Sequence, residues 1–341
     1  MSSYTHQDIL KVSRILSEST LDAGIESTIA DHLSSSNISG ILTLFIQHSQ
    51  TFYTSKDALD FFNLLIVLIH HVPANVQPTV IEALIQSMQA QPSQETELKI
   101  DILVKLYNHL PADSSLKVVV FKAMVSLATA ADEFNLVQSF LKSLSTLIKD
   151  WKMDVAEQKS LYLFLMQKCP PMHAYSFAIR YLNLFTNKTA SECLDQVVQT
   201  IKMSLSTPDI IHFEDLLECE AVCAHSSHPL FTFLGFFLKG DYLGYKAFVS
   251  QNPEFIKSHG MNEQVLKDKL RILAVANLSL KYMNKSLPYS IVAQALDISE
   301  SDVEKWIISG KFKEKFLIFY SGSRRINARK NGSTIKDCFY F

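Results

Sequence analysis

Apolar residues recur along this chain at helical spacing, in segments of about 12 to 18 residues closed by short polar or proline-bearing breaks. The segment ISGILTLFIQHS follows Asn37, whose short side chain suits a helix N-cap. Ser55 is placed to cap KDALDFFNLLIVLIH, with Asp57 early in that helix. Residues 95–110 put Leu98, Ile102, Leu106 and Leu110 on one stripe and leave Lys99 and Lys105 away from it. Pro111 then turns the chain into SLKVVVFKAMVSLATAA, and FNLVQSFLKSLSTLIKDW follows Asp132 as a single predicted helix. Further helices are expected over 154–168, 173–185, 189–205 and 213–219. A long helix over 263–282 points Val265, Leu266, Leu270, Leu273, Ala274 and Leu278 at the core.

Antiparallel helix pairs of about 40 residues, each unable to bury its apolar face alone, predict an all-α chain built as a right-handed α-solenoid of TPR- or HEAT-like repeats. No residue signature repeats, so the array is degenerate, and a globular helical bundle is the alternative.

Residues 287–308, LPYSIVAQALDISESDVEKWII, have a different character. Val292, Ala293 and Leu296 fall on one helical face, Ile298 sits in a tight turn, and Val303, Trp306 and Ile307 return at helical spacing. That is the apolar skeleton of a helix-turn-helix. Ser299 and Asp302 resemble a capping box, which starts the second helix near Glu300. Glu300, Asp302 and Glu304 outnumber Lys305 there, so phosphates would meet net repulsion and protein contact is favoured over DNA reading. A winged helix would continue into a β-hairpin, for which KFLIFY at 315–320 and STIKDCFYF at 333–341 are the available runs. The organisation read from these patterns is N-terminal helical repeats over 1–94, a second helical-repeat part over 95–285, and a winged-helix part with a divergent basic tail over 286–341.

Charge refines this picture. The chain carries a formal charge of −2, with eight bases against two acids between Lys311 and Asp337. A mildly acidic body is a poor general nucleic-acid binder, and only the tail over 311–336 offers a footprint for weak RNA contact; a solvated basic terminus is the alternative. The start, MSSYTHQDILKV, has neither the basic region nor the apolar run of a secretion or transit signal. The densest apolar run, FFNLLIVLIHHV, falls short of the roughly 20 residues a membrane span needs. Five cysteines without a dense framework fit reduced thiols in a cytoplasmic protein.

No arrangement for catalysis stands out. The nine glycines form no GxGxxG or GxxxxGK phosphate loop, no serine occupies a GxSxG elbow, and Cys169, Cys193 and Cys338 lie in no nucleophile signature. CEAVCAHSSH gathers Cys219, Cys223, His225 and His228, with His212 upstream, but lacks the loop that usually closes a zinc site; buried thiols and loop histidines are expected instead. Phe231, Phe233, Phe236 and Phe237 are expected in the core, because no base interleaves them before Lys239. His70 and His71 are expected to meet the last carbonyls of their helix. No cofactor or metal is therefore expected, and no enzyme activity.

Several strings carry a family resemblance: LYNHLPADSSLKVVVFKAMVSLA from Leu106, LIKDWKMDVAEQKSLYLFLMQ from Leu147, FEDLLE from Phe213, GDYLGYKAFVSQNPEFIKSHGM from Gly240, KDKLRILAVANLSL from Lys267 and LDISESDVEKWII from Leu296. In this order and spacing, over roughly residues 100–308, the chain resembles the PCI domain, a helical array running into a winged helix. That module is shared by the proteasome lid, the COP9 signalosome and eukaryotic translation initiation factor 3. The resemblance is strongest to the initiation-factor branch. It implies a non-enzymatic scaffold that meets sister subunits of that factor and the small (40S) ribosomal subunit in the preinitiation complex, in the cytoplasm and away from membranes. Val303, Trp306 and Ile307 are the residues expected to hold the module together or to meet a partner. After residue 308 the likeness ends, since Ser309-Gly310 stops a helix that the family usually extends. PCI proteins of mRNA export, and subunits of the signalosome or lid, are the alternatives.

Overall fold

A computed structural model describes residues 3–20, 24–281 and 288–308, and among these every regular element is helical. The all-α reading holds. The wing runs and the basic tail lie outside the described residues. The chain divides into two compact units, Met1–Asp154 and Val155–Phe341.

The first unit contains α1 (Ser3–Thr20), α2 (Gly24–Ser34), α3 (Ile38–Gln47), α4 (Ala58–His71), α5 (Gln77–Gln89), α6 (Thr96–His109) and α7 (Leu116–Ala130), closed by the short α8 (Gln138–Lys142) and α9 (Leu144–Asp150). Helices pack on their neighbours, as α1 does on α2 and α6 on α7, and also on the next but one, as α3 does on α5, α4 on α6 and α5 on α7. Stacked helix hairpins produce this pattern, because each hairpin buries on the next the apolar stripe it cannot cover itself. Phe61 of α4 sits at the centre, stacked on Phe52 at 3.8 Å between centroids and meeting Phe45 edge-on at 5.6 Å.

Local chemistry explains where these helices start and stop. Asn37 Oδ1 accepts the amide of Gly40 at 3.0 Å and caps α3 as its sequence indicates. Ser55 acts differently from expectation. Its hydroxyl accepts the amide of Asp57 within a turn, and α4 begins only at Ala58. The single helix expected after Asp132 is instead a 3-10 turn over Phe134–Val137 followed by α8 and α9. Ser143 stands at the junction of α8 and α9, its hydroxyl donating to the carbonyls of Ser139 and Phe140.

Lys99 also departs from expectation. Rather than lying off the apolar stripe, it is wholly buried. The reason is that α6 is covered by both α4 and α7, so its buried face is wider than one stripe. The ammonium donates to the carbonyl of Gln91 at 2.5 Å and lies 4.6 Å over the ring of Tyr53. Burial holds the Lys99 pKa below the usual lysine value, against the opposing pull of Glu95. A base harder to protonate when folded stabilises most above the ordinary lysine pKa, and its contribution falls as pH drops through that range.

The second unit opens with α10 (Val155–Lys168) packed against α11 (Pro171–Leu182), which begins on Pro171 as a proline at the first helical turn permits. It continues through α12 (Leu194–Ser206), the short α13 (Glu214–Glu218) and α14 (Glu220–Ala224), α15 (Pro229–Lys239), α16 (Tyr242–Gln251), the single turn α17 (Phe255–Ser258), α18 (Glu263–Lys281), α19 (Tyr289–Leu296) and α20 (Glu300–Ile308). Phe233 is wholly buried, with the rings of Phe237, Tyr245, Phe248 and Phe255 between 5.1 and 5.6 Å away. Phe231, Phe233 and Phe237 are thus core, while Phe236 is only half-buried. Gly240 ends α15 in the left-handed region at φ 63°, and a Cβ there would stand 2.9 Å from the Cα of Ala274 in α18. Buried Lys269 fixes α18 to the end of α12, donating to the carbonyls of Ser204 and Thr207.

Three cysteines of this unit are packing groups. Cys169, Cys193 and Cys219 are buried. Burial pushes the thiols of Cys169 and Cys219 up to about 12 and raises that of Cys193. Since the thiolate is the reactive species, these three are expected to stay unlabelled by Ellman's reagent in the native protein. No more than two of the five thiols should react before denaturant is added, and all five after; rapid native reaction of three or more would refute that packing.

Candidate partner-binding module

Helices α19 and α20 form the helix-turn-helix, and what positions it is α18. One side of α18 buries Leu266, Leu270 and Leu273, while Ile272 and Val275 join a separate cluster with Val292, Ala293, Leu296 and Val303. Ile298, from the turn, packs against it. One long helix therefore serves two cores. The periodicity of 263–282 singled out the first face, whereas Ile272 and Val275 escaped notice because they make sense only once a second layer covers them.

Val303 is fully buried at the centre of this cluster. The backbone of α20 carries Trp306 and Ile307 in the turn that follows, but their side chains lie outside the described residues. The turn between the helices uses Asp297 at φ 54°, left-handed backbone that aspartate tolerates better than most residues. Its carboxylate is held by the ammonium of Lys246 from α16. The hydrogen bond to Lys246 lowers the Asp297 pKa, and the same bond raises that of Lys246. Both groups are solvent-exposed, so this contact orients the module more than it stabilises it.

Ser299 does not act quite as a capping box would have it. Its hydroxyl donates to Asp302 Oδ2 at 2.7 Å, while the amide of Asp302 bonds the Ser299 carbonyl. Glu300 nevertheless opens α20 as expected. Glu300, Asp302 and Glu304 are all exposed, giving the helix an acidic outer face. That face disfavours phosphate and suits a partner that supplies cations or hydrogen-bond donors. The large apolar side chains of Tyr289, at the start of α19, and Leu243, on α16, are each about half exposed, at 51%.

Elsewhere the chemistry-bearing residues are engaged locally. His225 Nε2 lies 2.9 Å from the carbonyl of Ala190, and His228 Nδ1 accepts the amide of Leu230 at the start of α15. Cys219 and Cys223 turn to the carbonyls of Asp215 and Leu217. His71 Nδ1 meets the carbonyl of Val67, while His70 faces the ring of His109. Among the described residues no group of three or more histidine, cysteine or carboxylate side chains is placed to share a metal ion. None of their helices is long and apolar enough to cross a membrane.

No family model matches the chain. It is similar to curated proteins named eukaryotic translation initiation factor 3 subunit M. That of Dictyostelium discoideum is 24% identical over 75% of this chain and 66% of its own length. That of Aspergillus terreus is 28% identical over 74% of this chain and 59% of its own, and that of Pyricularia oryzae is 24% identical over 88% and 76%. In the first two the match spans less than two thirds of the relative's length.

Proposed function

We propose that this chain is a non-enzymatic subunit of eukaryotic translation initiation factor 3, acting as a scaffold through its helical array and terminal helix-turn-helix. The observation that carries this reading is the similarity to subunit M proteins of fungi and Dictyostelium, which extends over 72 to 88% of the chain. Its geometry suits the role. A stacked array offers many side chains at fixed spacing, and the helix-turn-helix sits on α18 with its acidic face and Tyr289 exposed. In this reading the module docks on the corresponding modules of sister subunits, and the assembled factor reaches the small ribosomal subunit within the preinitiation complex. Val303, Trp306 and Ile307 hold the module together, and the bases of 311–336 supply any contact with RNA.

Affinity purification of the tagged chain from cells, read by mass spectrometry, tests the assignment. Initiation factor 3 subunits should dominate the recovered proteins. Recovery of proteasome-lid or signalosome subunits in their place would overturn it.

A further inference from the structure

In the first unit α1 and α4 touch and leave between them a cleft of about 470 Å³, within the range of sites that take a bulky side chain or small ligand. Its floor is apolar, made by Val12, Phe52, Phe61 and Leu64, all nearly or fully buried. Both walls follow helical spacing: Asp8, Lys11, Val12 and Ile15 on α1, and Asp60, Leu64 and Val67 on α4. The cleft is therefore a groove along the helix axes, roughly 10 Å long at the rise of an α-helix. Val67 stays 39% exposed at its mouth although it belongs to the most apolar run of the chain.

The rim is acidic. Asp8, Asp57 and Asp60 face the groove against the single lining base Lys11, and none of the three carboxylates has an ion-pair partner among the described residues. Lys105 of α6 is bonded to Oδ1 of the lining Asn63, and Lys56 precedes Asp57 in the chain. Asp57 and Asp60 also complement the positive end of α4, but Asp8 lies inside α1, where no helix terminus accounts for it. An apolar floor with an acidic rim repels phosphate and matches a helix that carries a bulky apolar residue flanked by cations.

We propose that the groove between α1 and α4 seats a basic amphipathic helix of a neighbouring protein, its apolar side chain on Phe52 and Phe61 and its lysines or arginines against Asp8, Asp57 and Asp60. This deepens the scaffold reading and rests on it only in that the neighbour belongs to the same particle.

The test uses the full-length chain and two synthetic helical peptides of equal length, each with a central tryptophan and leucines, one flanked by lysines and the other by glutamates. Fluorescence anisotropy at low salt should show the lysine peptide binding, and the Asp8→Lys, Asp60→Lys double variant should bind it at least about tenfold more weakly. Both positions are exposed, so circular dichroism should find the variant folded. Equal binding of the lysine peptide by the two proteins, preference of the unaltered chain for the glutamate peptide, or a single-stranded RNA that competes for the groove would each overturn the proposal. Peptide binding together with an absence of initiation-factor subunits in the affinity purification would sink the functional assignment and leave the groove standing. Recovery of those subunits with no peptide binding would do the reverse.

Discussion

Replacing Val303 with aspartate should unfold the helix-turn-helix while leaving the first unit intact. Val303 is fully buried in a cluster that has six buried members among the described residues. The substitution both removes an apolar contact and buries a carboxylate with no cation in that cluster. A buried charge without a partner costs about 3–5 kcal/mol, more than the roughly 1.5–3 kcal/mol that burying one aliphatic side chain contributes, and no cation among the described members of the cluster offsets it. Hydrogen exchange should report it: amides of α19 and α20 that are slow in the native chain should exchange at near-unfolded rates in the variant, with α3 to α7 unchanged. Val303→Ala, which leaves a small cavity and no charge, should lower protection and keep the fold. If the aspartate variant kept its protection, the cluster would not be what holds the two helices on α18.

Trp151→Ala should markedly destabilise the first unit. Trp151 is 8% exposed, its indole nitrogen donates to the hydroxyl of Tyr107 at 3.1 Å, and its ring lies 5.3 Å from that of Phe121. It thereby fastens the short α9 onto α6 and α7. Truncating a buried tryptophan costs about 3–5 kcal/mol, and here the Tyr107 hydroxyl also loses its donor. The thermal midpoint of the unit should fall by about 10 °C, as followed by far-ultraviolet circular dichroism. Trp151→Phe keeps most of the packing and should cost about 1–2 kcal/mol, chiefly for the hydrogen bond. Equal losses in the two variants would mean that packing around Phe121 contributes little.

The features that could be read from sequence were those set by local rules. Asn37 caps α3 because a short acceptor ahead of an apolar periodic run has few other uses. Val292, Ala293, Leu296 and Val303 share one core because their spacing alone places them on facing stripes. What stayed hidden depends on the neighbours a helix acquires. The buried face of α6 is wider than its leucine stripe, so Lys99 is drawn inside, where a carbonyl and the face of Tyr53 accept its charge. Ile272 and Val275 are core only because α19 packs over α18. The run from 134 to 151 has helical periodicity throughout, yet it divides after Val137 and again at Ser143, and nothing in its apolar spacing marks those points. The groove beside α1 was equally illegible, since periodicity shows which side chains turn inward and not how closely two helices approach.

In the proposed function neighbouring subunits hold this chain through the compact helix-turn-helix module. That role is tested most directly by purifying the tagged chain and its Val303→Asp variant in parallel from the same cells and quantifying co-purifying subunits. The native chain should bring down initiation factor 3 subunits in near-equal amounts and the variant should lose most of them. A native chain recovered alone, or a variant that retains the full complement, would contradict the account.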